Sequence, residues 1–182
     1  MRKPFVKIVL FFLFIILIPL AGCHGKTGEK NEPSPSAHQP TSPSTIDSVV
    51  PLEVDQHSFQ FIIGWLNERE LLIYEWMDQQ ACISSYHVTS GERKEYLVLD
   101  EPVISADLSP SKTYLLIHTA PSPIEAELSI FQTTTQEKIA AMHIPSREIF
   151  YEWNPFNEQK IFVTAFYEDW TYTNYIYEWN SE

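Results

Sequence analysis

Glycine is scarce in this chain of 182 residues, which contains only five. Beyond residue 50 there are two, Gly64 and Gly91. Phosphate-binding loops and dinucleotide-binding turns need several closely spaced glycines, because the backbone must turn sharply and approach the ligand. Their absence argues against these nucleotide-binding enzymes, and we predict no cofactor.

Basic residues and cysteines are also few. The chain has 12 lysines and arginines against 24 acidic residues, for a net charge of −12. Such an acidic chain is a poor match for nucleic acid, where neutralisation of phosphates supplies much of the affinity. Of the two cysteines, Cys23 belongs to the motif described below, which leaves Cys82 without a partner for an intrachain disulfide.

Recognisable catalytic and metal-binding motifs are missing as well. The sequence contains no Gly-x-Ser-x-Gly element and no Asp-x-Asp-x-Asp-Gly calcium loop, and its histidines stand singly along the chain. We therefore predict no catalytic residues and no metal site.

The first 22 residues have the organisation of a signal peptide. A basic start precedes thirteen apolar residues at 8–20, a run too short to span a bilayer comfortably. The run ends in Leu20, Ala21, Gly22 and Cys23, which resembles the lipobox of bacterial lipoproteins. That resemblance implies cleavage before Cys23 and lipidation of Cys23. The alternative is an uncleaved membrane anchor with an incidental cysteine.

Residues 23–45 follow as a segment with four prolines and many serines, threonines and charged residues. A segment of this composition buries too little apolar surface to fold, and its prolines keep it extended. We interpret it as a tether. The predicted location is the extracytoplasmic face of the cell membrane, with the membrane itself as a partner through the lipid on Cys23.

Residues 46–182 are rich in aromatic and β-branched residues in short runs, which is typical of strands. A polar turn followed by an apolar run recurs as "WLNERELLIY" at 65–74, "LSPSKTYLLI" at 108–117 and "WNPFNEQKIFV" at 153–163. The spacing of 43 to 46 residues, with about four short strands in each full unit, predicts antiparallel β-propeller blades. A small β-sandwich is the alternative, since it also has frequent turns.

The turn at 107–117, "DLSPSKTYLLI", resembles the "SPDGKYLL" turn of TolB-like and WD40-like propellers, with Ser111 in place of the aspartate and Lys112 in place of the glycine. Together with the lipobox and tether, residues 46–182 resemble the YqgU-like six-bladed propeller lipoproteins of Bacillus-type bacteria. About three blades are visible, which predicts an incomplete ring. A truncated product, a second chain that supplies the other blades, and self-association all remain open as explanations.

Aromatic side chains and carboxylates near the end of the chain suggest a binding surface. Its candidate residues are Trp153, Trp170, Tyr172, Glu168 and Asp169, a set suited to sugars of the cell wall. The alternative is that these aromatic rings only pack between blades. We predict a non-catalytic binding or interaction module with an envelope protein or cell-wall partner. The alternative is a lyase or hydrolase that acts on envelope polymers.

Overall fold

The computed structural model describes residues 48–180, and the predicted signal peptide, lipobox and tether lie outside them. Eleven strands follow one another without a helix in this range. The first sheet contains β1 (Phe59–Trp65), β2 (Glu70–Met77), β3 (Gln80–His87) and β4 (Arg93–Leu99). The second contains β5 (Val103–Leu108), β6 (Tyr114–Ser122), β7 (Glu125–Gln132) and β8 (Lys138–Ile144). The third contains β9 (Glu148–Trp153), β10 (Lys160–Phe166) and β11 (Tyr172–Glu178).

Each sheet is an antiparallel meander in which every strand pairs with the next one along the chain. The first two sheets have four strands and the third has three, which confirms the predicted propeller-like blades. Strands β1 and β5, the first strands of their sheets, contact each other. The sheets form no closed ring within residues 48–180.

Apolar side chains fill the spaces between successive sheets. Leu72 and Ile83 from the first sheet pack against Leu115 and Ile117 of the second, and all four are fully buried. The opposite face of the second sheet packs on the third in a separate cluster. This separation follows from the two-residue period of a strand, which sends alternate side chains to opposite faces.

A polar turn joins β5 to β6 and shows why the repeated motif recurs. Ser109 is fully buried, its N–H donates to the Tyr114 carbonyl at 2.9 Å, and its hydroxyl accepts from the Tyr114 N–H at 3.2 Å. Lys112 takes a left-handed backbone conformation, with φ of 64°. This is the position at which the resembling propeller turns have glycine, the residue that adopts positive φ without steric cost.

Candidate functional site

A cleft of about 500 Å³ opens between the second and third sheets. Its walls come from three short connections: the β6–β7 turn, the β8–β9 connection and the β10–β11 turn. The lining residues are Pro123, Ile124, Pro145, Ser146, Arg147, Glu148, Phe166, Tyr167, Glu168, Trp170 and Thr171. Turns that converge beside a rigid β scaffold are a common place for binding residues.

The β10–β11 turn presents Trp170 at this cleft. The Trp170 N–H donates to the Tyr167 carbonyl at 3.0 Å, and the Tyr167 N–H donates to the Thr171 carbonyl at 3.0 Å. Asp169 accepts from the Thr171 hydroxyl at 2.6 Å and from the Thr171 N–H at 3.1 Å, and these bonds lower the pKa of its carboxyl group. The turn is thus closed by its own hydrogen bonds, while 97% of the Trp170 surface stays exposed.

The β8–β9 connection is fixed by the buried Ser146. Its hydroxyl group donates a shared hydrogen bond to two carbonyl oxygens. One belongs to Glu148, at 3.1 Å, and the other to Phe166 on β10. This arrangement holds Arg147 and Glu148 at the edge of the cleft. Arg147 makes no ion pair with any residue between 48 and 180.

A second cavity of about 450 Å³ shares Arg147, Glu148 and Phe166 with the main cleft. His118 lines this cavity from β6 and is 2% exposed. Its Nδ1 lies 3.4 Å from the Ser105 hydroxyl, and its Nε2 is buried with no partner at hydrogen-bond distance among residues 48–180.

Burial makes His118 a neutral side chain at ordinary pH. Desolvation lowers the pKa of His118 to about 4, against a smaller opposing effect of the Arg147 carbonyl. The ring of Tyr151 lies edge-on to it with centroids 6.3 Å apart, and burial raises the pKa of Tyr151 to about 12. A neutral imidazole has one donor and one acceptor nitrogen. The Arg147 carbonyl is close enough to affect the pKa of the ring, but no group among residues 48–180 lies at hydrogen-bond distance from Nε2, which borders the second cavity.

The structure brings some of the predicted binding residues together and separates another. Glu168 and Trp170 line the cleft, Asp169 lies between them in the same turn, and the exposed Tyr172 begins the strand that follows. Trp153 is 5% exposed and belongs to the core between the second and third sheets, so its ring does not reach the same surface.

Sequence reasoning did not identify Arg147, Phe166 or Ile124 as binding residues. A lone arginine in the short connection between two predicted blades was the available signal for Arg147 in so acidic a chain. Phe166 and Ile124 carried no such signal, because their place in the cleft depends on how the two sheets pack. The predicted lipidation residue Cys23, with Leu20, Ala21 and Gly22, lies outside the described residues.

Residues 48–180 contain neither a metal-binding cluster nor a membrane-spanning helix. No group of three or more histidine, cysteine, aspartate or glutamate side chains in this range is arranged to hold a metal ion. The same range contains no helix that is both long and apolar enough to cross a bilayer. Cys82 is half-buried, and the pKa of its thiol is raised mainly by desolvation and to a smaller extent by the negative charge of the nearby Glu95.

The three antiparallel sheets pack face to face in chain order, which is the arrangement of blades in a β-propeller fold. Residues 87–182, more than half of the chain, match the family described as the YqgU-like 6-bladed beta propeller domain. The chain belongs to this family, which confirms the resemblance seen in its sequence.

Solved structures with the same fold are distant in sequence. An uncharacterized protein of Listeria monocytogenes is 16% identical with a TM-score of 0.68, over 72% of this chain and 40% of that one. The β-propeller domain of the Trilobed protease from Pyrococcus furiosus, described as having an open velcro topology, is 16% identical with a TM-score of 0.52. The match covers 66% of this chain and 40% of that one. Acylaminoacyl peptidase of Pyrococcus horikoshii is 12% identical with a TM-score of 0.53, and the match covers 66% of this chain and 24% of that one.

These likenesses concern the fold alone. The chain spans less than half the length of each of these three structures. No curated protein matches the sequence.

Proposed function

We propose that this protein is a lipid-anchored binding module on the extracytoplasmic face of the cell membrane, with its ligand site in the cleft between the second and third sheets. The cleft carries this proposal: a concave volume of about 500 Å³ is lined by an exposed tryptophan, by carboxylates and by an arginine that has no ion pair within residues 48–180. Concave surfaces with apolar walls and a few polar groups are the usual form of ligand sites.

The anchoring part of the proposal is supported by the sequence at the start of the chain. The thirteen apolar residues at 8–20 are followed by Ala21, Gly22 and Cys23, and several acyl chains on one cysteine give stable membrane attachment. Replacing Cys23 by serine should move the protein from the membrane fraction to the soluble or secreted fraction. Retention of the C23S variant in the membrane through its uncleaved apolar segment would contradict lipid anchoring.

The binding part is tested by photo-crosslinking in cells. A photoreactive amino acid at Ile124, on the cleft wall, should capture an envelope component, whereas the same group at Ile139 on β8 should not. Ile139 is a matched control because it is an exposed isoleucine that does not line the cleft. Equal capture from both positions would contradict a binding site in the cleft.

We propose no catalytic activity. The enzymatic alternative requires that a captured polymer be cleaved, so the purified protein is incubated with isolated envelope polymers and the release of fragments is measured. Fragment release that is lost on changing Glu148 or Glu168 to glutamine would replace the binding proposal with the lyase or hydrolase alternative.

A further inference from the structure

Trp170 lies at a backbone position that disfavours it. Its φ of 65° is in the left-handed region, which is sterically costly for a residue with a Cβ and unusual for a bulky one. The ring gains no compensating burial, since 97% of the residue is exposed. Neither turn geometry nor packing explains a tryptophan here, and strained residues of this kind concentrate at functional sites.

Two exposed charged side chains of opposite sign lie at the edge of the cleft. Arg147 offers only hydrogen-bond donors, the neighbouring Glu148 offers only acceptors when ionised, and both line the main cleft and the second cavity. An anionic ligand would be repelled by Glu148 and Glu168, whereas Arg147 and Glu148 together offer donors and acceptors to uncharged polar groups. The arrangement therefore favours a neutral ligand whose polar groups both donate and accept.

The second cavity contributes a third observation. His118 is almost completely buried, yet its Nε2 has no partner at hydrogen-bond distance among residues 48–180. Leaving a buried polar atom unsatisfied costs free energy that a hydrogen bond from a ligand would recover. A hydroxyl group fits either tautomer of the ring, because it both donates and accepts.

We propose that the cleft binds a neutral saccharide, stacked on Trp170, with hydroxyl groups on Arg147, Glu148 and the Nε2 of His118. This inference rests on the proposed binding function and specifies its ligand class. A sugar ring has an apolar C–H face for an aromatic platform and a rim of hydroxyls for the polar groups. An extended peptide is the less suitable occupant, because peptides commonly add to a free strand edge and this cleft is lined largely by turns and strand ends.

The proposal is tested with the full chain in mild detergent, using tetra-N-acetylchitotetraose and cellotetraose as probes. Binding is measured by calorimetry and by tryptophan fluorescence. At least one probe should bind saturably, with half-saturation in the millimolar range or below. Replacing Trp170 by alanine should weaken binding about tenfold, which corresponds to the loss of about one stacking contact. Trp65→Ala is the matched control, since Trp65 is 49% exposed on β1 and lies outside the cleft, and it should change affinity less than twofold.

Further variants separate ligand contact from damage to the fold. Trp170→Gly should raise the thermal midpoint, because glycine relieves the left-handed strain, while it weakens saccharide binding as Trp170→Ala does. His118→Gln and Arg147→Ala should each weaken binding about fivefold, with the Trp65→Ala protein as reference. Loss of binding that tracks a loss of stability across these variants would overturn the assignment.

The remaining outcomes distinguish this inference from the proposed function. If neither sugar binds but the photoreactive group at position 124 still captures an envelope component, the saccharide assignment fails and the binding function stands. Saturable binding of tetra-alanine that requires Trp170 would likewise replace the saccharide by a peptide. If neither sugar binds and no component is captured, both proposals fail.

Discussion

Two hairpin turns in equivalent positions differ in the residue that takes the left-handed conformation. Gly91 has φ of 73° in the β3–β4 turn, and Gln136 has φ of 61° in the β7–β8 turn. The hydrogen bonds match: the Gly91 N–H donates to His87 at 2.9 Å and the Gln136 N–H donates to Gln132 at 2.8 Å. The second blade therefore has a β-carbon where the first has none.

Replacing Gln136 by glycine should stabilise the protein. A left-handed residue with a Cβ costs about 1–2 kcal/mol. Glycine removes this strain, but it also gives the unfolded chain more conformational freedom, which reduces the stabilisation by about 0.5–1 kcal/mol. The net gain is about 0.5–1 kcal/mol, because Gln136 is exposed and little packing is lost with its side chain.

Urea denaturation followed by near-ultraviolet circular dichroism provides the assay. A gain of this size should move the midpoint upward by about 0.3 M. Thr134→Gly is the matched control, because Thr134 is exposed in the same turn with an ordinary backbone, and its change should lower the midpoint.

The reverse change at the equivalent position should be costly. A β-carbon on Gly91 would lie 2.9 Å from Cγ1 of Val50, so Gly91→Ala should lose about 2 kcal/mol from strain and crowding. The reasoning would be refuted if Gln136→Gly lowered the midpoint, or if Gly91→Ala left it unchanged.

Three further predictions concern buried polar groups. Arg93→Met should lower the free energy of unfolding, measured by urea denaturation, by about 3 kcal/mol. The reason is that the carboxylate of Glu75, which is 3% exposed, loses its ion-pair partner. Adding Glu75→Gln should restore part of the lost stability. Tyr96→Phe should cost about 1–2 kcal/mol, since the Thr133 carbonyl loses a buried hydrogen bond of 2.7 Å between the first two sheets, and an unchanged midpoint would exclude this link. His118 has a pKa of about 4 in the folded protein against 6.5 in the unfolded chain, so the free energy of unfolding should fall as the pH drops from 6.5 towards 4. His118→Gln should reduce this dependence of stability on pH. An unchanged pH dependence in the variant would contradict the role given to His118.

Short runs of aromatic and β-branched residues were enough to predict strands, and the recurrence of a polar turn every 43 to 46 residues predicted their grouping into blades. The polar turn at 109–113 was predicted because its residues favour turns and interrupt two apolar runs. Lys112 stands where the resembling turns have glycine, and the structure gives it a φ of 64°. These features are local, and each depends on a few consecutive residues.

The placement of the aromatic rings could not be predicted in the same way. Trp153 pairs with Ile161 in the β9–β10 register, and this pair faces the second sheet, where both residues are buried. Trp170 lies beyond β10, in the β10–β11 turn, and is exposed. Both are tryptophans beside polar residues in the sequence, and only the strand register and the packing between sheets distinguish them.

The left-handed residues separate structural turns from the candidate site. Asp78, Gln79, Lys112 and Gln136 are polar residues at hairpin or connecting turns, where a solvated side chain and a tight backbone bend account for their conformation. Trp170 has the same backbone strain but adds a large apolar surface left in solvent. A glycine would close that turn at lower cost, so the tryptophan is better explained by what it contacts outside the fold. Its position at the mouth of the cleft makes a bound ligand the most direct explanation.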